Sequence, residues 1–252
     1  MGEGPRAGTS VIELSSSLEV DKDITIEGNG VTLTPDFSSP WSYDEALLNT
    51  VDGVTVNISR VHFKDGWNDE KGGAIWAGIG TLNLESCIFS GNLSNHYYGG
   101  GAIFIEGGTA TVKGCTFYGN DAGGGFGGAI YNFGNLTLTG NLFYGNTAYW
   151  YNPVVKDDTY GFSTGTSSGG YNVVNVDIGT NNNQSGWAAG IGDTPLTDLG
   201  IFGDPVNDDG DDGFEPTEAA LNIVPSGLSG FPTKDFYGAT RTFPGAAGAV
   251  AQ

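Results

Sequence analysis

The middle of the chain alternates between apolar and polar positions. The alternation is anchored on four phenylalanines, Phe63, Phe89, Phe117 and Phe143. The residues five and seven places before them are apolar, whereas the residues six places before them are polar. In chain order these three sets are Ile58, Leu84, Val112 and Leu138; Val56, Leu82, Ala110 and Leu136; and Asn57, Asn83, Thr111 and Thr137. A period of two among β-branched residues predicts short, half-buried strands.

The strands belong to a repeat of about 27 residues. Three Gly-Gly-Ala-Ile tetrads, spaced 28 and 27 residues apart, begin at Gly72, Gly100 and Gly127. Each is followed by a Phe-x-x-Asn element, and these elements end at Asn92, Asn120 and Asn146. A degraded earlier copy occupies residues 55–66. Since no helical pattern accompanies the strands, this short period predicts a solenoid of strands.

The fold expected from this repeat is all-β: a right-handed parallel β-helix of about six coils with an irregular C-terminal tail. We expect the β-helix to span 11–175, with its clearest repeats in 55–146. Residues 1–10 are predicted to be an N-terminal leader, and residues 176–252 a loop-rich tail packed on the solenoid or extending from it. The composition agrees, because 44 of 252 residues are glycine, which disfavours helices and supplies turns.

Equivalent residues in successive coils of such a fold stack about 4.8 Å apart, so the repeat predicts ladders of side chains. The four phenylalanines should form an internal aromatic stack, and the asparagines of Phe-x-x-Asn a ladder that bonds backbone groups of neighbouring coils. A third ladder holds Val61, Cys87, Cys115 and Asn141. Parallel side-chain vectors suit disulfide geometry poorly, so we expect two buried free thiols.

An aromatic row follows the tetrads and consists of Trp76, Phe104 and Tyr131. Strand alternation places either this row or the neighbouring row of Ile75, Ile103 and Ile130 on the outside. An exposed aromatic stripe would be a surface for a partner or a sugar. The interpretation favoured here puts the aromatics in the core.

The charge balance narrows the range of partners. Nine Lys and Arg face 29 Asp and Glu, a formal net charge of −20. A protein that tracks phosphates needs a basic stripe, so nucleic acid is excluded and an anionic membrane surface is disfavoured. No apolar run reaches the roughly 18 residues of a transmembrane segment. The first ten residues lack signal-peptide features, which predicts a signal already removed or another route of export.

One candidate metal site stands out in the tail. Six acidic residues fall within a short glycine-containing stretch: Asp204, Asp208, Asp209, Asp211, Asp212 and Glu215. Oxygen ligands at this density suit Ca²⁺, although the spacing differs from an EF-hand. The alternative interpretation is a solvated acidic loop. No other cofactor is expected.

Catalysis is not expected. Hydrolysis of a glycosidic bond usually needs two carboxylates across a cleft. Asp157 and Asp158 are adjacent near the repeats, and no Lys or Arg follows them within the next coil. Alternation points His62 outward to the surface beside Lys64, and His96 lies in a turn. None of these residues forms an acid–base constellation in the sequence.

The tetrads and Phe-x-x-Asn elements of residues 55–146 resemble the repeat of chlamydial polymorphic outer-membrane proteins and related right-handed β-helix repeats. The tail, from GYNVVN at 170–175 to DFYGATRTFPGAAGAV at 235–250, is similar to the C-terminal region of bacterial extracellular β-helix proteins of the choice-of-anchor type. These resemblances imply a bacterial protein that is extracellular or at the cell surface and is mostly non-catalytic.

The function expected from the sequence is therefore structural. The protein would act in adhesion, toward a surface glycan or protein, or would self-associate head-to-tail into a fibre, with residues 243–252 lying along a neighbour's open first coil. A tail that caps its own solenoid is the alternative to such a fibre. The competing function is a carbohydrate-binding or polysaccharide-degrading β-helix protein.

Overall fold

A computed structural model of the chain describes residues 10–38, 45–148, 155–156, 159–161, 165–174, 190–195, 206–207, 215–216, 224–245 and 247–249. Every regular element within these ranges is a β-strand. In chain order the strands are β1 (Val11–Leu14), β2 (Leu18–Val20), β3 (Ile24–Pro35), β4 (Leu48–Thr50), β5 (Thr55–Lys64), β6 (Trp67–Asn68), β7 (Ile75–Glu85), β8 (Ile88–Ser90), β9 (Leu93–Ser94), β10 (Ile103–Lys113), β11 (Thr116–Tyr118), β12 (Asp121–Ala122), β13 (Ile130–Asn132), β14 (Asn135–Thr139), β15 (Leu142–Tyr144), β16 (Thr147–Ala148), β17 (Val155–Lys156), β18 (Thr159–Gly161), β19 (Thr166–Gly170), β20 (Val173–Val174), β21 (Thr194–Pro195), β22 (Val206–Asn207) and β23 (Glu215–Pro216).

Parallel pairing of these strands builds a solenoid with three long faces. Face A consists of β2, β4, the first parts of β7 and β10, then β13 and β18. Face B consists of the first parts of β3 and β5, the later parts of β7 and β10, then β14 and β19. Face C consists of β1, the ends of β3 and β5, then β8, β11, β15, β20 and β21.

Short strands complete the coils. β6, β9, β12 and β16 pair in parallel, and β17 joins them antiparallel. β22 and β23 form a separate antiparallel pair.

The predicted parallel β-helix is confirmed, with a slightly smaller number of coils. Faces A and B each contain six rungs, so five steps along the axis give about five turns in place of the predicted six. The difference arises because the outermost rungs belong to incomplete coils. One further rung of face C, β21, lies at Thr194–Pro195, beyond the expected end of the β-helix at residue 175.

The interior contains the predicted aromatic stack. Ring centroids of Phe63, Phe89, Phe117 and Phe143 are 5.1, 4.8 and 4.7 Å apart in succession. The successive ring planes differ by only 6°, 4° and 5°, and all four side chains are fully buried. In-register parallel pairing imposes this spacing on equivalent residues.

The predicted asparagine ladder is also present. The amide of Asn92 donates to the Oδ1 atom of Asn120 at 2.9 Å, and Asn120 donates in the same way to Asn146 at 2.9 Å. Each amide also donates to a backbone carbonyl of the preceding coil. A second ladder runs from Asn141 through Asn172 to Asp193. It was not predicted from the sequence. These bonds satisfy polar groups that the turns bury.

The two cysteines are free and buried, as predicted. They lie in adjacent coils, where the backbone N–H of Cys87 approaches the Sγ atom of Cys115 at 3.4 Å. Burial raises the pKa of the Cys115 thiol well above its ordinary value, with a further contribution from Cys87. Since the thiolate is the reactive form, burial and the raised pKa both disfavour reaction of this thiol.

Candidate interaction surface

The outward side chains differ among the three long faces. Face B is polar, and its side chains form hydrogen bonds along the solenoid axis. Asn83 donates to Asn57 at 2.9 Å, and Asn57 donates to Thr25 at 3.3 Å. The next outward row carries Glu85 and Lys113, so this face has the charged and amide groups of a solvated sheet surface.

Face C presents a largely apolar outward row that another part of the chain covers. The row consists of His62, Ile88, Thr116, Leu142 and Val173, all buried. The covering segment is residues 224–249, here called the strap, of which 224–245 and 247–249 are described. Phe236, Ala247 and Ala249 of the strap pack with the apolar members of the row in one buried cluster.

Backbone bonds fix the strap in place. The N–H of Ala249 donates to the Oγ1 atom of Thr116 at 2.9 Å, and the N–H of Gly248 donates to the carbonyl of Gly140 at 2.8 Å. A Cβ atom on Gly140, where φ is +61°, would collide with the ring of Phe231. Glycine at this corner therefore leaves room for the strap as well as permitting the left-handed turn.

Arg241 anchors the strap to the coils. Its Nη2 group donates to the carbonyls of Gly248 and Ala249 at 2.8 and 2.9 Å, and to the Oγ atom of Ser86 at 3.2 Å. Burial lowers the pKa of Arg241 to about 10, against the opposing effect of Asp235. The side chain is therefore still charged at pH 7 and makes charge-assisted hydrogen bonds, which are the stronger kind.

One expectation about this face is wrong. His62 does point out of the solenoid, but it is buried beneath the strap. Its Nε2 atom lies 2.7 Å from the Oγ atom of Ser90, and its ring contacts that of Phe236 edge-on at 6.3 Å. Of the two alternatives for residues 243–252, the capping of their own solenoid is seen at residues 247–249, whose small alanines pack over the apolar row of face C.

Face A carries the aromatic row. Ile75, Ile103 and Ile130 point into the solenoid core, so alternation turns Trp76, Phe104 and Tyr131 outward. The favoured interpretation, that the aromatic side chains of this row point into the core, is thus wrong. Phe104 and Tyr131 are nevertheless fully buried, since a second layer of side chains covers them.

The second layer consists of Tyr98, Phe133 and Lys71. The Phe133 ring lies 5.8 Å from Phe104 and 5.1 Å from Tyr131, at steep angles of 70° and 62°. Tyr98 contacts Tyr131 at 6.0 Å and Phe133 at 5.7 Å. Edge-to-face contacts of this kind stabilise aromatic clusters beyond their burial alone.

Lys71 lies over the same cluster. Its Nζ atom is 4.9 Å from the ring centre of Phe104, 5.1 Å from Trp76 and 5.8 Å from Tyr98. The ammonium group forms an ion pair with Glu106 at 3.2 Å. Cation–π attraction therefore holds a charged pair at the edge of an aromatic surface.

Part of this cluster is open to solvent. Tyr97 is 53% exposed, Tyr98 37% and Phe133 40%. We call Trp76, Tyr97, Tyr98 and Phe133 the aromatic patch; Phe104 and Tyr131 form its floor. The patch is thus an apolar surface that is partly open to solvent.

The predicted metal site lies outside the described residues, apart from the backbone of Glu215 in β23, which pairs with Asn207. The calcium site therefore stays a prediction. Among the residues that the structure describes, no group of three or more His, Cys, Asp and Glu is arranged to hold a metal ion. Asp157 and Asp158 also lie outside the described residues. In the same described part of the chain, no helix is long and apolar enough to cross a membrane.

One described carboxyl has a shifted pKa. Burial raises the pKa of Asp121, and a hydrogen bond from Thr147 at 3.0 Å acts in the opposite direction. Asp121 lies in the short β12 strand and belongs to the ladder that joins Leu93 to Thr147. This placement makes it part of the coil structure.

The repeat pattern in the sequence marks the aromatic row but not the residues that complete the patch. Tyr97 and Tyr98 lie in the loop before a tetrad, and Phe133 in the bend between β13 and β14. Neither position recurs as an aromatic in other repeats. The available signal was the local density of aromatics around the row, since Tyr97-Tyr98 and Phe133 both flank it in sequence.

Comparison with known proteins agrees with this description. The repeat of the Chlamydia polymorphic membrane protein family matches residues 86–106, which contain β8, β9 and the tetrad at Gly100. Neither the curated proteins nor the solved structures that were compared gave a match. The fold and this match define a parallel β-helix repeat protein with a repeat of the polymorphic-membrane-protein type. The resemblance drawn from the sequence is confirmed at that level.

Proposed function

We propose that this chain is a non-catalytic β-helix protein of the bacterial surface that acts in adhesion through its aromatic patch. One observation carries the proposal: two outer faces carry apolar rows, and the strap buries one while the other keeps three partly exposed rings. Exposed apolar groups gathered at one place on a folded protein mark interaction sites. The solenoid supplies a stiff support for such a site.

A surface location is part of this proposal. The matched repeat takes its name from membrane proteins, and the net charge of −20 suits a soluble domain held in water.

The non-catalytic part of the proposal rests on the chemistry of the patch. Glu106 is the carboxylate that contacts the cluster among the described residues, and it is paired with Lys71. His96 accepts a hydrogen bond at its Nδ1 atom from the backbone N–H of Tyr98 at 3.2 Å. No hydrogen bond or ion pair among the described residues joins Glu106 to His96, so the two groups do not form an acid–base pair, which favours binding over catalysis.

Adhesion can be tested with beads coated with the purified protein. Retention on bacterial and animal-cell layers should fall several-fold when Tyr97, Tyr98 and Phe133 are all replaced by serine. The matched control is Phe37→Ser, because Phe37 is 66% exposed and lies in the turn after β3, outside the patch. Equal retention of beads coated with the patch variant and with wild type would contradict the proposal.

A second candidate function, head-to-tail association into a fibre, is favoured by the first coil. Among the described strands, β1 pairs only with β3 and β2 only with β4, and Val11 and Ile12 are 55% and 48% exposed. An unpaired sheet edge with apolar side chains can accept another coil. Light scattering at high concentration should then show polymer that Ile12→Lys abolishes, and a monomer under all conditions would contradict this candidate.

A further inference from the structure

The aromatic patch has the properties of a site for a neutral glycan. We propose that sugar rings stack their C–H faces on Tyr97, Tyr98 and Phe133 while their hydroxyl groups bond to Lys71 and Glu106. This inference rests on the proposed adhesive function and specifies its ligand.

The size of the patch disfavours a protein partner. If an aromatic side chain offers about 200 Å², the exposed parts of Tyr97, Tyr98 and Phe133 amount to about 250 Å². A stable protein interface takes about 800 Å² from each partner. The exposed apolar area is thus well below what a protein partner needs, and it matches a small ligand such as a short glycan.

The shape of the patch disfavours a flat or flexible apolar ligand. Apolar small molecules bind in enclosed cavities of about 300–1,000 Å³, whereas the Tyr97, Tyr98 and Phe133 rings are 53%, 37% and 40% exposed to solvent. The exposed rings also face different directions: Tyr97 and Tyr98 meet at 85°, and Tyr98 and Phe133 at 69°. A glycan turns at each linkage, so its successive rings can stack on aromatic faces that are not coplanar.

The edge of the patch provides hydrogen-bonding groups. Lys71 and Glu106 are about a fifth and a third exposed, and their ion pair lies beside the rings of Trp76 and Phe104. An ammonium group donates and a carboxylate accepts, which together can satisfy sugar hydroxyls. The rings bind the apolar faces of the sugar, and the pair fixes the direction of its hydroxyls.

The charge of the protein selects among glycans. The chain carries a net charge of −20, and Asp69 and Glu70 are exposed close in sequence to Lys71. A uronic or sulfated glycan would meet long-range repulsion, which weakens as salt rises. A neutral glycan avoids this repulsion, so we expect the ligand to carry no acidic groups.

Calorimetry and ligand-observed NMR with defined oligosaccharides test this inference. The probes are hexamers of glucose with α or β linkages and of N-acetylglucosamine, compared with oligogalacturonate and heparin fragments. At least one neutral hexamer should bind, with affinity at least tenfold lower in the Tyr97→Ala and Phe133→Ala variants and unchanged in Phe37→Ala. Thermal melts of each variant establish that it is folded.

The inference is overturned if no neutral hexamer binds, if the patch variants bind as wild type does, or if the acidic probes bind better. Bead retention separates this failure from failure of the proposed function. Retention that depends on the patch without glycan binding contradicts the ligand only. Retention that ignores the patch contradicts the adhesive site itself.

Discussion

Faces A and C both turn an apolar row away from the solenoid interior, yet they are covered differently. On face C, the strap from the end of the chain buries Ile88, Leu142 and Val173 beneath Phe236 and small alanines. On face A, the cover comes from nearby loop side chains, and it leaves Tyr97, Tyr98 and Phe133 partly exposed.

The difference shows how outward positions of one repeat can serve two purposes. Parallel stacking makes ladders wherever the repeat places like residues, inside or outside the coil. An outer ladder is stable when something else covers it, because exposed apolar area is unfavourable in water. On face C the strap of the same chain provides this cover. On face A, we propose, a bound ligand covers the part of the row that remains exposed.

The largest loss of stability is expected from a substitution in the interior. It serves as the reference for the substitutions on faces C and A below. Phe117→Ala should lower the free energy of unfolding by about 3–5 kcal/mol, since it removes a ring stacked on both sides in a fully buried core. Denaturant unfolding measures this change. A variant as stable as wild type would contradict the ladder of phenylalanines.

Phe236→Ala tests the sealed face. The ring is fully buried between the strap and the coils, so we expect a loss of about 3 kcal/mol. Hydrogen exchange should show faster exchange in β8, β11 and β15 than in the interior strands of face B. Unchanged protection of face C would mean that the strap contributes little to this face.

Arg241→Met removes the polar anchor of the strap while keeping a long side chain. We expect a loss of about 2 kcal/mol, because the carbonyls of Gly248 and Ala249 lose their charged donor. The pKa of Arg241 in the native protein is about 10, below the ordinary value of 12.5, because its charge is buried. Burial of this charge therefore lowers stability by a constant amount below pH 10, and the cost decreases only as the pH rises above 10. The effect of the substitution should therefore be constant between pH 5 and 8, and thermal melts at those two pH values check it.

Phe133→Ala tests the open face. Its ring is partly exposed already, so the free energy of unfolding should fall by no more than about 1 kcal/mol. Phe37→Ala is the matched control for losing an exposed aromatic ring, and it should change stability by less than about 0.5 kcal/mol. A loss for Phe133→Ala as large as that for Phe236→Ala would show that the patch is a structural seal.

The last prediction concerns calcium. If Asp204, Asp208, Asp209, Asp211, Asp212 and Glu215 bind Ca²⁺, chelation should lower stability by about 1 kcal/mol at millimolar calcium. These residues precede the strap in sequence, so the loss should appear as faster exchange in face C and leave face A unchanged. Calorimetry that shows no shift with chelator would leave the solvated acidic loop as the interpretation.

The sequence alone predicted the solenoid, the phenylalanine stack, the ladder of Phe-x-x-Asn asparagines and the two free thiols, because in-register stacking turns a repeat directly into contacts. The sequence could not decide in the same way whether the aromatic row points into the core or away from it. Alternation gives two opposite solutions, and both rows, Ile75 with its equivalents and Trp76 with its equivalents, are apolar enough for the interior.

The position of the strap could not be predicted from the repeat, for a different physical reason. Its contacts with face C join residues more than 100 positions apart, such as Ala249 and Thr116, and they follow no period. His62 was misplaced for this reason: the outward direction was right, but the covering ring of Phe236 comes from a segment without repeat signals. Long-range covers of this kind depend on tertiary packing that local patterns do not encode.

Hydroxyl-radical footprinting of the intact protein, with mass spectrometry as readout, tests most directly the claim that one apolar face is sealed and the other open. The account predicts rapid oxidation of Tyr97, Tyr98 and Phe133, and protection of Phe236 close to that of the core residue Phe117. Oxidation of Phe236 at the rate of Tyr97, or protection of all three patch residues in the isolated monomer, would contradict it.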